Sequence, residues 1–212
     1  MGYPIKTYDD LTSAMADWLN RGDLVAQIPA FIALFEAEYN ADERGRIQKS
    51  VVISTANVAT EYTPVPSDYI QMQNLRVPGS QCNPDGLDLL TPQQINWFRE
   101  RYIDANEPRF YAIIGQQIQL LPIPDQQYTL EMQYFAKLPS LGTSNETNWL
   151  LNDHPNLYLY GSLKHAEPYL KNDERIATWK ALYDDGMERL KVTDDRAQAS
   201  GAVLKMRTRS FG

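Results

Sequence analysis

The hydrophobic period of this chain changes twice, and that double change restricts the fold more than any single motif does. In "TYDDLTSAMADWLNR", residues 7–21, Tyr8, Leu11, Met15, Trp18 and Leu19 recur at helical spacing behind a cap at Thr7, with Asp9 and Asp10 in the first turn. A second stripe, Leu24, Ile28, Phe31, Ile32, Phe35 and Tyr39, predicts a helix over about 24–42, where Pro29 requires a later start or a bend. Gly22 separates the two, so an antiparallel helix pair is expected. Past Gly45 the pattern shortens. "IQKSVVIST" and "VATEYTPV" read as strands on either side of a turn at Ala56-Asn57, and "PSDYIQMQNLRV" as one helical turn capped by Ser67 before a strand over about 73–77.

The clearest strand signal lies in residues 109–136. "RFYAII" and "QIQLLPI" flank Gly115-Gln116, a pair suited to a two-residue type II′ turn. Along "YTLEMQYFA", Tyr128, Leu130, Met132, Tyr134 and Ala136 share one face, while Thr129, Glu131, Gln133 and Phe135 share the other, which predicts a sheet with one covered and one polar side. Before it, "TPQQINWFRERY" starts a helix with Thr91 as cap, Pro92 at the first position, and Ile95, Phe98 and Tyr102 on the buried edge.

The helical period returns near residue 150. Leu159, Leu163, Ala166 and Leu170 form one stripe, ended or kinked by Pro168 near its last turn; Ile176, Trp179, Tyr183, Met187 and Leu190 form another over about 173–195. The order helices, strands, helices predicts an α+β fold: a helical bundle formed by N- and C-terminal helices, with a central antiparallel β insertion and an extended C-terminal tail. Residues 1–196 are expected to form a single α+β domain, helical over 7–45 and 150–195 and β-rich over about 47–140, followed by a basic tail at 197–212.

Net charge is −7, unevenly placed. Arg196, Lys205, Arg207 and Arg209 are basic and no acid follows Arg196, which leaves −11 on the 195 residues before it. A body so acidic repels phosphates, which argues against a DNA-binding regulator; the basic tail reads either as a solvated, disordered end or as an arm that docks into a partner. Thirteen Tyr and fourteen Gln favour large amphipathic contact surfaces. One cysteine, Cys82, allows no intrachain disulfide. With no signal-peptide pattern and no apolar run of about 18 residues, the chain is expected to be made in the cytosol and to have no membrane partner.

"NDHPNLYLYGSLKHAEPYLKND", residues 152–173, holds both histidines, His154 and His165, near Asp153, Glu167 and Asp173. This is the first candidate for metal or acid–base chemistry. Eleven residues apart on one helix, the histidines would share a face but lie ~16 Å apart along the axis, too far for one metal ion. Pro155 biases His154 out of the helix, which makes Asn152 or Asp153 the expected cap. The carboxylate pairs at 184–185 and 194–195 read as solvated helix surface, with Asp184 and Asp185 one turn before Arg189. No nucleophile, phosphate-loop or dinucleotide motif occurs. Catalytic residues, metal ligands and cofactor are therefore each expected to be none. What remains of the stretch is an aromatic helix in which Gly161 allows a close helix neighbour, expected to be the one at 173–195.

The segment order resembles the head–tail adaptor (connector, or gatekeeper) proteins of tailed bacteriophages, short-tailed ones in particular. The likeness lies in the N-terminal helix pair, in "ATEYTPVPSDYIQMQNLRV" (59–77) and "LDLLTPQQINWFRERY" (87–102), in "PRFYAIIGQQIQLLPIPDQQYTLEMQYFAKLPSL" (108–141), and in the closing helix pair over 148–190. It implies a homo-oligomeric ring, typically of twelve copies, that docks under the portal protein. Such a ring extends the DNA channel, passes DNA without sequence-specific binding, and offers a platform to a tail nozzle or tube protein. It implies too that helices at about 7–42 and 150–195 line the ring. The tail reaches along the portal, with Lys205, Met206, Arg207, Arg209 and Phe211 as docking residues. The alternatives are another neck or tail-completion ring, such as a tail terminator, or a metal-dependent hydrolase built on His154 or His165.

Overall fold

The computed structural model describes residues 4–170 and 174–199. In chain order its elements are α1 (Tyr8–Leu19), α2 (Ile28–Ala41), β1 (Val51–Val58), β2 (Tyr62–Pro64), β3 (Tyr69–Arg76), β4 (Asp88–Leu89), α3 (Pro92–Arg99), β5 (Phe110–Ile114), β6 (Gln117–Leu121), β7 (Tyr128–Ala136), α4 (Trp149–Asp153), α5 (Pro155–Leu163) and α6 (Arg175–Ala199). The fold is α+β, and it divides into two compact units. One comprises residues up to Lys49 and from Leu138 onward; the other is Ser50–Lys137.

Short-range chemistry sets most helix starts. Thr7 Oγ1 accepts from the Asp10 amide at 3.2 Å, and the Asp10 carboxylate accepts from the Thr7 amide at 3.0 Å. Two amide groups that a helix start leaves without partners are thereby satisfied. Thr91 and Gln94 repeat the arrangement at α3. Pro29 does not bend α2. A 3-10 stretch over Gly22–Gln27 takes up the residues before it, and α2 begins at Ile28, where a first-turn proline loses no hydrogen bond.

The cap near His154 lies elsewhere than the sequence predicts. Asn148, not Asn152 or Asp153, begins the segment: its Oδ1 accepts from the Leu151 amide at 2.9 Å, and its Nδ2 donates to the Pro139 carbonyl at 2.8 Å. The five-residue α4 then ends at His154, whose amide donates to the Leu150 carbonyl, and α5 starts at Pro155. Asn148→Ala is expected to cost about 1–2 kcal/mol in chemical denaturation, and Asn152→Ala about 0.5 kcal/mol or less. Equal costs would remove Asn148 from this role.

Helices from both ends of the chain share one core. Leu11, Met15 and Leu19 of α1, Phe31, Phe35 and Tyr39 of α2, Leu157, Tyr158 and Leu163 of α5, and Trp179, Tyr183, Met187 and Leu190 of α6 all belong to it. Gly161 does sit at a close approach, but to α2: a Cβ there would stand 2.3 Å from Phe35 Cδ2. The corresponding place between α5 and α6 is Gly186, where a Cβ would meet Leu157 at 2.5 Å. Inside this core lies a polar chain. The Glu36 carboxylate accepts from the Leu141 amide at 2.8 Å and from the Tyr158 hydroxyl at 3.1 Å, and that hydroxyl accepts from Asn148 Nδ2 at 2.5 Å.

The second unit holds two sheets, ordered β1-β7-β3 and β2-β6-β5-β4, where the sequence predicts one. The expected face of β7 is the buried one. Leu130, Met132, Tyr134 and Ala136 share a core with Tyr111, Ile118 and Leu120 of the second sheet. That second sheet is covered on its other side as well, by α3, through Ile95 against Ala112 and Leu121 and the stacked rings of Phe98 and Phe110. Every strand pair is antiparallel except β4 with β5, which corrects the expectation of an antiparallel insertion at that one place. The Gly115-Gln116 turn joins β5 to β6, and Gly115 has φ 61° while Gln116 stays at negative φ, the type II′ pattern.

Two local expectations fail. β1 runs straight through Ala56-Asn57, which pair with Leu130 and Thr129; cross-strand pairing outweighs the turn preference of asparagine. Ser67 caps no helix. A tight turn from Pro66 to Tyr69 leads directly into β3.

Candidate functional site

The two histidines occupy separate settings. His154 is half-buried at the junction of α4 and α5 and lines a cavity of about 330 Å³ with Ile47, Lys49, Asp153, Leu190 and Asp194. Burial lowers its pKa, opposed by Asp153. Asp153 itself is ion-paired with Lys49, which holds its carboxyl below the usual range. His165 sits in the 3-10 stretch Lys164–Tyr169, with Nε2 3.0 Å from Glu38 Oε2. Lys164 reaches the other oxygen of Glu38 at 2.6 Å and lies 3.6 Å over the Tyr183 ring. Burial lowers the His165 pKa too, with Glu38 opposing it. Asp173 lies outside the described residues.

The carboxylate pairs on α6 are all engaged. Asp184 meets Arg44 at 3.3 Å, and only Asp185 makes the expected pair with Arg189, at 2.9 Å. Asp194 accepts from the Gln48 amide and from Gln198, and Asp195 pairs with Lys191 at 3.0 Å. Such contacts fix helix ends and neighbouring turns and leave no open ligand pair. Among the described residues, no group of three or more His, Cys, Asp or Glu side chains is placed to hold a metal ion. Cys82 is exposed, 3.7 Å from the Arg109 guanidinium. Among the described residues, no helix is long and apolar enough to cross a membrane.

What the described surface offers is contact area. In the β-rich unit Ile53, Leu89, Trp97 and Ile103 are each more than 60% exposed, and Trp18, Val25 and Leu34 stand partly exposed in the helical unit. Trp18 is thus the exception in the α1 stripe: it packs edge-on to Tyr160 at the rim of the core. Sequence periodicity gives no warning of Trp97 and Ile103, because exposed apolar residues follow no buried-face pattern. Glu36 could have been found. It is an acid inside the apolar run "IPAFIALFEAEY", and it falls beside Phe35, Ile32 and Tyr39 on the inward edge of α2.

These exposed apolar residues offer surface for contact with partners. A family model described as SU10 adaptor protein matches residues 6–205. The chain belongs to this family of phage head–tail adaptors. No curated protein matches the chain. It is therefore a phage structural adaptor protein, and the match takes in both units and stops at residue 205, within the basic tail. The proposed docking residues Lys205, Met206, Arg207, Arg209 and Phe211 lie outside the described residues.

Proposed function

We propose that the adaptor forms a ring of twelve copies at the head–tail junction of a short-tailed virion. The ring joins the portal protein to a tail nozzle or tube protein and continues the DNA channel. The observation that carries this reading is the family match over residues 6–205. Charge supports it: a body at −11 lets DNA slide past without sticking, and the basic tail suits an acidic docking groove. The reading includes no catalytic step and no cofactor.

Mixing the purified adaptor with portal protein and imaging the product should give closed twelvefold rings seated on one end of the portal. An adaptor that neither binds portal nor closes into rings would overturn the proposal. A chain ending at Arg196 is expected to keep its circular dichroism spectrum and to lose portal affinity at least about tenfold, ~1.4 kcal/mol. The loss should shrink as salt is raised, because it is largely electrostatic. Unimpaired binding would remove Lys205, Met206, Arg207, Arg209 and Phe211 from the docking role.

A further inference from the structure

Sheet edges offer unpaired N–H and C=O groups to any other extended chain, and folded proteins usually blunt them. Three of the four edges here are blunted. β2 is three residues long and contains Pro64, and β4 is two residues long. β3 has register shifts between Tyr69 and Gln71 and between Met72 and Asn74, and the Leu87 amide already takes the Leu75 carbonyl on its outer side at 2.6 Å.

The fourth edge, β1, carries none of these devices. Its eight residues, "VVISTANV", contain no charge, proline or glycine, and pair with β7 in unbroken register from Val51↔Phe135 to Val58↔Tyr128. Ile53 is 62% exposed and Val52 39%. No backbone hydrogen bond from another segment reaches β1 on its outer side among the described residues. A long, regular, apolar and open edge is what strand addition requires.

The sequence also holds a strand-like segment with no place in the described fold. From Val203 to Arg209, "VLKMRTR", Leu204, Met206 and Thr208 alternate with Lys205, Arg207 and Arg209. Thirteen residues follow Ala199, and seven extended ones span ~23 Å, close to the length of β1.

We propose that residues 203–209 of a second copy add to the open edge of β1 as an extra strand. Leu204 and Met206 then extend the inward row of Val52, Ser54 and Ala56, and the three basic side chains extend the outward row of Ile53, Thr55 and Asn57. Each copy thereby carries one donor strand and one acceptor edge. That makes a head-to-tail contact, of the kind that closes into rings. The inference rests on the adaptor reading above and deepens it: the neighbour's β1 holds the tail backbone while its basic face remains free for the portal.

Cross-linking of full-length chains tests it, with Cys82 replaced by Ser throughout. One chain carries Ser54→Cys and the other Met206→Cys, near the strand centres and on the same inward face, which either strand direction brings to within about 4.5–5.5 Å, inside disulfide range. Oxidation of the mixture should give a disulfide-linked heterodimer as the main product. Adding Ile53→Lys to the Ser54→Cys chain should abolish that product, and Ile103→Cys in place of Ser54→Cys should give none. Equal product with Ile53→Lys, no product at all, or closure within one chain carrying both cysteines would overturn the proposal. Gln at 205, 207 and 209 should leave the cross-link and remove portal binding. A cross-link with no portal binding by any chain, unsubstituted included, sinks the portal reading alone; portal binding without the cross-link sinks this one alone.

Discussion

Phe35→Ala should destabilise the helical unit by about 3–5 kcal/mol, the largest single effect expected in this protein. Phe35 is fully buried, and its ring meets Tyr158 at 4.8 Å, Tyr183 at 5.9 Å and Tyr39 at 6.1 Å between centroids. Removing it leaves a cavity where α2, α5 and α6 meet, and the aromatic neighbours are too rigid to fill it. The same ring lies over Gly161, so Gly161→Ala should cost about 1–3 kcal/mol from overpacking, despite a gain of ~1 kcal/mol in helix propensity. The two effects must couple. In the Phe35→Ala background the space above residue 161 is open, and Gly161→Ala should become neutral or stabilising. Denaturant titration of both single variants and the double variant measures this; simple additivity would mean that Phe35 is not what keeps position 161 a glycine.

Glu36→Ala should cost about 2–5 kcal/mol, because it strands two buried donors, the Leu141 amide and the Tyr158 hydroxyl, at ~1–3 kcal/mol each. Glu36→Gln keeps an acceptor oxygen and isolates the charge. Burial pushes the Glu36 carboxyl above its ordinary range, only partly opposed by hydrogen bonds from Leu141, Tyr158 and Ser140. A folded-state pKa above the unfolded one means that the native state holds the proton more tightly. The resulting stabilisation is complete below pH 4.5, the unfolded value, and is lost as pH rises through the folded one. Glutamine does not titrate, so the stability of Glu36→Gln relative to the parent should rise between pH 4 and pH 7. Unfolding measured at both pH values checks the sign, and a constant difference would show that Glu36 does not titrate differently on folding.

Much of this fold could be read from local pattern. The Thr7 and Thr91 caps, the stripes of α1, α2 and α6, the Gly115-Gln116 turn and the alternation of β7 are each written within about ten residues, because each depends on backbone groups or side-chain periods close in sequence. The histidine stretch is legible only in part. Asn148 lies outside it, and its capping role shows only when the chain turns at Pro139 and returns beside Tyr158. The partner of Gly161 is not local either: a small residue announces a close approach but does not say which helix makes it, and here it is α2 through Phe35.

By itself the sequence determined the fold class, the order of elements and the membership of a phage adaptor family, since each follows from period and segment order along the chain. Only the tertiary structure decided that the β-rich segment holds two sheets rather than one, that Glu36 is buried against Tyr158, and that among the described residues β1 alone keeps a long open edge. The β1–β7 pairing joins residues 70 to 84 positions apart, and the contact of Glu36 with Tyr158 joins residues 122 apart. No local pattern encodes such contacts; the shared core selects them when the chain closes on itself.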